Sequence, residues 1–347
     1  MLINDVPVPE AGEGQFLVKI KSASLCHSDL MMDLRPDNIG PVTLGHEGVG
    51  FIDSIHSSVE GKGFKVGDAI GFLYIVGCCY ECEGCMVHNL HCTSGKQLLQ
   101  GFTTDGFFAE YAVVDWENAI ILPENLQIER CAPLFCAGIT GNKPPSLQGP
   151  LGADWLTNSP KAFHAVHSCE LKPDQWFAVI GCGGLGQLAI QYAKAMGFKA
   201  VGLDINDDML EVAKKAGADV VFNSMANKDY VEELKKVTGG GAHAAAVFSN
   251  AQAAYNGAPA VLRLGGLMMI IGITAKPIQV STMDMTLGRY RIKAESTSIP
   301  QRMPKAIEFS GKHNIVPEVE YRKLEDVQAM IDDMEAGRAK TRMAVVF

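Results

Sequence analysis

The sequence predicts an α/β protein that has a doubly wound parallel sheet and a second, strand-rich domain. From residue 176 to about residue 295, short apolar strands alternate with segments that have the spacing of amphipathic helices. A glycine-rich turn directly follows the first of these strands. Residues 1 to about 140 instead contain short β-like runs broken by Gly, Pro and Asp, which is typical of a loop-rich β domain.

The individual elements follow from these patterns in chain order. In the strand-rich part, strands are predicted at Phe16–Ile20, Gly48–Ile55 and Phe107–Val114. In the alternating part, strands are predicted at Trp176–Ile180, Ala200–Leu203, Val220–Phe222, Ala244–Phe248 and Leu267–Gly272, with helices at Leu185–Met196 and Asp208–Ala216. A helix near Pro304–Ser310 and an apolar end at Met343–Phe347 follow. Repeated βα units favour a parallel sheet that is covered by helices on both faces.

These changes of pattern predict the domain boundaries. Residues 1–140, completed by about 300–347, form one predicted domain, and residues 162–299 form the other. Residues 141–161 contain four prolines and three glycines without a clear periodicity. They are therefore predicted to be an atypical insertion or a long loop.

Composition excludes several classes of function. The chain has 347 residues and a net charge of −9, which disfavours partners such as nucleic acid or an anionic membrane. No apolar run reaches the roughly 18 residues of a membrane span, and the start lacks a basic region followed by an apolar stretch. A cytoplasmic location is therefore predicted. In a reducing compartment, the ten cysteines favour metal binding over disulfides.

A dinucleotide-binding turn is predicted at G-C-G-G-L-G, because this run ends a strand and opens a helix. The residues proposed to bind the cofactor here are Gly181, Gly183, Gly184, Leu185 and Gly186. The helix N-terminus offers N–H groups and partial positive charge to a pyrophosphate. Asp204 follows Gly186 by 18 residues, where its carboxylate can hold ribose hydroxyls and repel a 2′-phosphate. The pattern therefore favours NAD over NADP.

A structural zinc site is predicted from four cysteines in the spacing C-x2-C-x2-C-x6-C. These are Cys79, Cys82, Cys85 and Cys92. Four thiolates close a tetrahedral zinc shell without an open position. Two alternatives remain open, namely that Cys78 is one of the ligands and that the cysteines are unliganded thiols in a surface loop.

Three further segments are ambiguous when each is considered alone. They are Cys26-His27-Ser28-Asp29, Gly45-His46-Glu47 and Cys136 within Leu134–Gly138. Together with the cysteine cluster and the glycine turn, their order resembles the zinc-dependent medium-chain alcohol dehydrogenases. The chain is most similar to the yeast and fungal branch in segments such as Ala189–Gly197 and Gly239–His243. This resemblance covers nearly the whole chain apart from residues 141–161.

The resemblance implies a GroES-like β-rich substrate domain, a Rossmann NAD-binding domain and two zinc ions per chain. Cys26, His46 and Cys136 are expected to bind a catalytic zinc ion, with a fourth position left for water or alcohol. Ser28 is expected to take the alcohol proton, Glu47 to lie behind the metal and Asp68 to orient His46. His27 and Arg342 match positions that contact the cofactor pyrophosphate. The implied activity is reversible hydride transfer between an alcohol and NAD in a homo-oligomer.

Several features depart from this family pattern. Met31 stands where yeast-type members have a proton-carrying His, and fewer residues precede Val6 than in the family. Residues 141–161 interrupt a segment that is continuous in the family, and one hypothesis is that they are a translated intron.

These departures leave alternatives for the function. The chain is either a general alcohol dehydrogenase, a pathway-specific fungal alcohol dehydrogenase or carbonyl reductase of secondary metabolism, or a non-catalytic NAD- and zinc-binding protein. Tyr74, Met31 and Phe72 are the candidate residues of the substrate pocket.

Overall fold

The computed structural model describes residues 2–34, 40–135, 161–274, 276–295 and 299–347. These residues form two units, of which the first contains the described residues up to 135 and from 299 onward. The second contains the described residues from 161 to 295. Residues 141–160, which make up nearly all of the predicted insertion, lie outside the described residues.

The strands of the described residues are short in both units. In chain order they are β1 Gln15–Leu25, β2 Gly48–Ile55, β3 Ala69–Phe72, β4 Ile75–Val76, β5 Leu98–Leu99, β6 Tyr111–Asp115, β7 Ala119–Ile121, β8 Trp176–Ile180, β9 Lys199–Asp204, β10 Val220–Asn223, β11 Ala242–Val247, β12 Leu262–Ile270, β13 Tyr290–Ala294, β14 Val319–Arg322 and β15 Arg342–Val346.

The longer helices lie mainly in the second unit. In chain order the α-helices are α1 Glu83–Val87, α2 Ile128–Cys131, α3 Lys161–His167, α4 Gly184–Ala195, α5 Asp207–Lys215, α6 Tyr230–Thr238, α7 Gln252–Gly257, α8 Thr282–Thr286, α9 Met303–His313 and α10 Val327–Glu335. Short 3₁₀ helices occur at His27–Leu34, Ser57–Val59, Asn89–His91, Trp116–Asn118, Ala132–Phe135, Ala258–Val261, Pro300–Arg302 and Leu324–Asp326.

The main sheet of the first unit has the strand order β14-β15-β1-β2-β3-β7, and β6 also pairs with β1. Strand β1 is central because it pairs antiparallel with β2, β6 and β15. Its partners bring distant parts of the chain together at one end of β1, where Ala23 faces Gly48 and Leu25 faces Met343. A smaller sheet pairs β4 with β5.

One predicted strand of this unit is shorter than expected. The alternation at Phe107–Val114 becomes a strand only from Tyr111. The backbone N–H groups of Gly106, Phe107 and Phe108 instead donate to the carbonyls of residues 43 to 45, at 2.8 to 2.9 Å. The apolar side chains of this stretch are buried by a loop contact, which sequence periodicity does not distinguish from burial in a sheet.

The second unit contains a parallel six-stranded sheet with the order β10-β9-β8-β11-β12-β13. The chain moves outward from β8 to β9 and β10, and then β11 pairs on the other side of β8. This reversal of strand order places a crevice beyond the carboxyl end of β8, where ligands bind in doubly wound sheets. The predicted α/β class, with a doubly wound parallel sheet in one unit and a strand-rich second domain, is confirmed.

Each unit has its own apolar core. In the first unit, Phe16, Ile52, Phe72 and Phe107 belong to one buried cluster. In the second, buried residues of the parallel strands, such as Val201 and Val247, form another. Among the residues that the structure describes, no helix combines the length and the apolar character required to cross a bilayer.

Candidate active site and metal centres

The first candidate centre lies where the ends of β1 and β2 meet. Cys26 directly follows β1, and His46 and Glu47 directly precede β2. The N–H of Ser24 donates to the carbonyl of Glu47 at 3.1 Å, so β1 and β2 stay hydrogen-bonded up to the residues next to Cys26 and His46. The metal-binding atoms of Cys26, His46 and Glu47 consequently lie within 4.8 Å of one another.

Asp29 orients the His46 ring. Its Oδ1 atom lies 2.7 Å from His46 Nδ1, and its Oδ2 accepts from the backbone N–H of Cys26 at 2.8 Å. Both side chains are fully buried. A hydrogen bond at Nδ1 leaves Nε2 as the ring nitrogen that binds a metal, which is the usual arrangement of histidine ligands. Burial lowers the pKa of His46, but the charge and hydrogen bond of Asp29 outweigh this effect and raise the pKa well above its ordinary value.

The expectation that Asp68 orients His46 is wrong. Asp68 Oδ2 accepts from the backbone N–H of Lys65 at 2.9 Å, within a local turn that begins before β3. Asp29 takes the role because the 3₁₀ helix after β1 brings it back toward Cys26. The sequence signal for Asp29 is its place three residues after a candidate ligand cysteine, where a carboxylate can accept from the backbone N–H of that cysteine.

Glu47 is buried behind the pair of candidate ligands and is itself held from two sides. Ser24 Oγ and Arg342 Nη2 both donate to its carboxylate. Burial raises the pKa of Glu47 to about 7, and the positive charge of Arg342 opposes this rise. Arg342 reaches the site because its strand, β15, pairs with β1. The sequence did not predict this contact between residues 295 positions apart.

Aromatic rings enclose the candidate metal ligand His46. The ring centroid of Tyr74 lies 5.4 Å from that of His46, in an edge-on arrangement, and that of Phe102 lies 5.0 Å away. Both aromatic side chains are buried. Phe72, another pocket candidate, packs instead against Phe107 in the core, with ring centroids 4.8 Å apart. The side chain of Met31 lies outside the described residues.

The remaining predicted residues of this centre occupy different environments. Ser28 is buried, and its Oγ lies 3.6 Å from Cys26 Sγ. His27, which precedes Ser28 in the 3₁₀ helix His27–Leu34, is exposed. Cys136, the predicted third zinc ligand, lies outside the described residues. A thiol and an imidazole in this proximity are the ligand types that zinc prefers, so the described donors fit a zinc ion.

The four cysteines of the second centre converge in a loop between β4 and β5. The Sγ atoms of Cys79, Cys82, Cys85 and Cys92 all lie within 4.8 Å of one another. Cys79 Sγ is 3.9 Å from Cys85 Sγ and 3.6 Å from Cys92 Sγ. Tetrahedral zinc with bonds of about 2.3 Å requires sulfur separations of about 3.8 Å, so this set fits zinc.

Backbone donors further favour thiolates in this cluster. The N–H groups of Cys85 and Thr93 both donate to Cys82 Sγ at 3.4 Å, and that of Cys79 donates to Cys92 Sγ at 3.3 Å. Hydrogen bonds from Thr93, above all, lower the pKa of the Cys82 thiol to about 5. Cys78 lies outside the group, since its thiol donates to the carbonyl of Asn89 at 3.5 Å. The alternative in which Cys78 is a ligand is not supported.

The glycine-rich turn lies at the carboxyl end of β8, before α4. Gly181 has a φ of 93°, which favours glycine, and Gly183 is the N-cap of α4. A Cβ atom on Gly186 would lie 2.1 Å from the carbonyl oxygen of Gly181, so helix and turn approach too closely for any side chain. A Cβ atom on Gly183 would meet nothing within 4 Å. The turn therefore has an open cradle at Gly183, at the helix N-terminus where backbone N–H groups can bind a phosphate.

Asp204 closes this turn from the end of β9. Its Oδ2 accepts from the N–H of Cys182 at 2.7 Å, and its Oδ1 accepts from those of Ile205 and Asn206 at 2.8 and 3.0 Å. Three backbone donors thus hold the carboxylate next to the cradle. Oδ2 retains acceptor capacity for a ribose hydroxyl, because it accepts one hydrogen bond and a carboxylate oxygen has two lone-pair sites.

Comparison with known protein families covers most of both units. The model of the alcohol dehydrogenase GroES-like domain matches residues 12–124. The model of the zinc-binding dehydrogenases matches residues 184–312. The two matched segments therefore include the described residues Cys26, His46 and Glu47, the four cysteines of the second centre and the second half of the glycine-rich turn.

Individual relatives extend over nearly the whole chain. An alcohol dehydrogenase of Rhizobium meliloti (strain 1021) is 31% identical over 99% of this chain and 95% of its own length. One of Geobacillus stearothermophilus is 30% identical, with the same coverage of 99% and 95%. The crystal structure of the alcohol dehydrogenase of Aeropyrum pernix has a TM-score of 0.81 and 26% identity, covering 100% of this chain and 96% of that one.

Proposed function

Because the chain belongs to the zinc-dependent medium-chain alcohol dehydrogenase family, we propose that it transfers hydride reversibly between an alcohol and NAD. The substrate is a small primary or secondary alcohol, and the product is the matching aldehyde or ketone. The observation that carries this proposal is the convergence of Cys26 and His46, with Asp29 bonded to Nδ1 of that histidine.

The residues proposed to hold the catalytic zinc ion are Cys26, His46 and Cys136. When bound, the ion lowers the pKa of a substrate hydroxyl and stabilises negative charge on its oxygen. Asp29 keeps the His46 ring in the orientation that presents Nε2, and Glu47 supplies negative charge behind the ligands. Arg342 and Ser24 hold that carboxylate in place. The four cysteines of the second centre are proposed to hold a structural zinc ion.

Ser28 is the proposed acceptor of the alcohol proton. Its Oγ is buried and close to Cys26 Sγ, so a hydroxyl near the candidate ligands is within its reach. In the oxidation direction, Ser28 Oγ would take the substrate proton while passing its own hydroxyl proton on to water, and the substrate carbon would give a hydride to NAD, which leaves the carbonyl product. In the reduction direction, both transfers would run in reverse, with Ser28 giving a proton to the product oxygen as it takes one from water.

The cofactor proposed for this chain is NAD. The open cradle at Gly183 receives the pyrophosphate, with Gly184 and Leu185 supplying N–H groups from the first turn of α4. Asp204 accepts from the adenosine ribose hydroxyls and would repel a 2′-phosphate. His27 and Arg342 are proposed to contact the pyrophosphate, and this assignment rests on the family resemblance.

Location and assembly are also proposals. None of the described cysteines forms a disulfide, which supports the proposal of a reducing compartment such as the cytoplasm. A homo-oligomer is proposed from the family resemblance. The yeast and fungal branch stays a prediction of the sequence.

A substrate panel tests the proposed function. We expect purified protein to reduce NAD with primary or secondary alcohols, measured by absorbance of the reduced cofactor, and to use NADP at least about tenfold less efficiently. His46→Ala should abolish turnover and leave the cysteine cluster loaded. A wild-type protein that binds NAD and two zinc ions per chain but turns over no alcohol or carbonyl of the panel would contradict the proposal.

A further inference from the structure

Tyr80 follows the cluster ligand Cys79 directly and has an unusual backbone. Its φ is 58°, in the left-handed region that costs a residue with a side chain roughly 1 kcal/mol or more. Glycine would adopt this conformation without that cost. A tyrosine at this position therefore needs side-chain contacts that offset the cost of its backbone conformation.

These contacts are hydrogen bonds of its hydroxyl group. The hydroxyl donates to Asp115 Oδ2 at 2.7 Å, and the carbonyl oxygen of Ile75 lies 3.2 Å away. Asn118 Nδ2 donates to the same hydroxyl at 2.9 Å and also to the Ile75 carbonyl. Asn118 is completely buried and Asp115 nearly so.

Asp115 anchors this group of hydrogen bonds to the main sheet. Besides the Tyr80 hydroxyl, it accepts from the N–H of Gly77 at 2.7 Å and from Gln15 Nε2 at 3.0 Å. Gln15 and Asp115 are themselves paired across β1 and β6. The cysteine loop is thereby attached to the main sheet where β1 begins and β6 ends.

The same hydrogen bonds hold the segment that contains Tyr74. On one side of Tyr74, the N–H of Leu73 donates to the Asn118 carbonyl at 3.1 Å. On the other side, the Ile75 carbonyl accepts from Asn118 Nδ2, which also donates to the Tyr80 hydroxyl. The Tyr74 carbonyl accepts from the N–H of Gln100 at 2.9 Å. Backbone on both sides of Tyr74 is thus held by Asn118, through its main chain on one side and its side chain on the other, and the Tyr80 hydroxyl positions that side chain.

We propose that Tyr80 is a positioning residue that links the cysteine cluster to the active-site ligand His46. Its hydroxyl accepts from the Asn118 side-chain amide, which also donates to the Ile75 carbonyl beside Tyr74. The Tyr74 ring in turn packs edge-on against the His46 ring. Asp29 fixes one atom of that ring, and rotation about this hydrogen bond is limited by Tyr74 and Phe102. This inference rests on the proposed role of His46 as a zinc ligand.

The variant that tests the link is Tyr80→Phe, which retains the ring and removes only the hydroxyl. The matched control is Tyr321→Phe, because Tyr321 belongs to the same unit and is half exposed. The measured quantity is the rate at which each zinc ion passes to a chromogenic chelator. His46→Ala identifies the active-site phase, because that phase should be missing in this variant.

We expect Tyr80→Phe to retain two zinc ions and to release the active-site ion about three- to tenfold faster, because only part of the free energy of the lost hydrogen bond reaches His46 through Tyr74. Tyr321→Phe should release both ions at the wild-type rates. kcat with the best alcohol should fall by a similar factor, while the KM for NAD should stay within about twofold, since a misaligned ligand affects the chemical step.

A double-mutant cycle separates this link from a general loss of stability. If Tyr80 acts through Tyr74, adding Tyr80→Phe to Tyr74→Leu should change active-site zinc release by less than about twofold. Additive effects, or an unchanged active-site phase in Tyr80→Phe, would overturn the inference. Because zinc release requires no turnover, a wild-type protein with both release phases and no dehydrogenase activity would contradict the proposed function alone.

Discussion

At the scale of single residues, the orientation of the His46 ring depends on Asp29, which the short helix after β1 places beside it. The ring has one nitrogen bonded to Asp29, and two aromatic side chains pack against it. Asp29 also accepts from the backbone of Cys26, so one carboxylate positions two candidate ligands. Orientation by a carboxylate strengthens the imidazole as a donor and selects the tautomer.

Replacing Asp29 tests this arrangement. Asp29→Asn keeps the shape of the side chain but removes its charge, so we expect about 10- to 100-fold weaker zinc binding at the active site and a similar loss of kcat/KM. Zinc retention against a chelator and initial rates measure both effects. Asp68→Asn is the matched control, since Asp68 bonds only a local turn, and equal losses in the two variants would refute the assignment.

Asp204 is a second residue whose position has two consequences. Its carboxylate accepts from three backbone N–H groups and thereby closes the glycine-rich turn. The same carboxylate is proposed to bind the ribose hydroxyls of NAD. Cofactor preference and the shape of the turn consequently depend on one side chain.

At the scale of elements, the turn between β8 and α4 is closely packed at one glycine and open at another. Gly186 is required because its Cα faces the Gly181 carbonyl, and Gly183 faces an open cradle. Both glycines belong to the same six-residue motif, but different physical reasons account for them. This difference allows stability and cofactor binding to be tested separately.

Alanine substitutions at these two glycines are expected to change different properties, namely stability at Gly186 and NAD binding at Gly183. Gly186→Ala should destabilise the second unit by about 1–3 kcal/mol, because the new Cβ atom forces the turn and the helix apart. Gly183→Ala should change stability by less than about 1 kcal/mol, since its φ of −65° suits alanine. It should weaken NAD binding at least about tenfold, because the methyl group fills the cradle.

Thermal unfolding and calorimetric titration with NAD measure the two effects. Adenosine binding provides a further control, because this ligand lacks the pyrophosphate and should bind both the wild type and Gly183→Ala equally. Unchanged NAD affinity in Gly183→Ala would show that the pyrophosphate lies elsewhere.

At the scale of the whole molecule, the two units depend on different interactions. The second unit has a continuous parallel sheet with its own apolar core. The first unit adds to its core a loop of four cysteines, and that loop has few apolar residues of its own. Metal binding in such a loop contributes directly to folding free energy.

Loss of the cluster metal should therefore affect the first unit selectively. Cys85→Ser should retain about one zinc ion per chain and lower the melting temperature of the first unit, because three thiolates hold zinc less tightly than four. Cys78→Ser is the matched control and should retain two ions, since Cys78 lies outside the group. Elemental analysis and calorimetry give these values, and equal zinc loss in both variants would contradict the assigned ligand set.

The affinity for NAD serves as the internal reference for this experiment. In Cys85→Ser it should stay within about twofold of the wild-type value, because the glycine-rich turn and Asp204 belong to the second unit. A large loss of NAD affinity would show that folding of the second unit also requires the cluster metal.

Local information in the sequence was sufficient for the family, the fold class and the grouping of the four cysteines. Strand β8 and its glycine-rich turn follow from spacing alone, because the apolar run, the glycines and the helical periodicity all lie within one local segment. The four cluster cysteines lie within fourteen residues, so their spacing already predicts that they bind one metal ion.

Tertiary structure alone decided which side chains support the predicted ligands. Asp29 rather than Asp68 bonds His46, Arg342 reaches Glu47 through the pairing of β15 with β1, and Tyr80 bonds Asp115. Sequence periodicity records which face of an element is buried, but not which distant strand lies beside it. Contacts between residues far apart in the chain are determined by strand order and register, which emerge only when the sheet has formed.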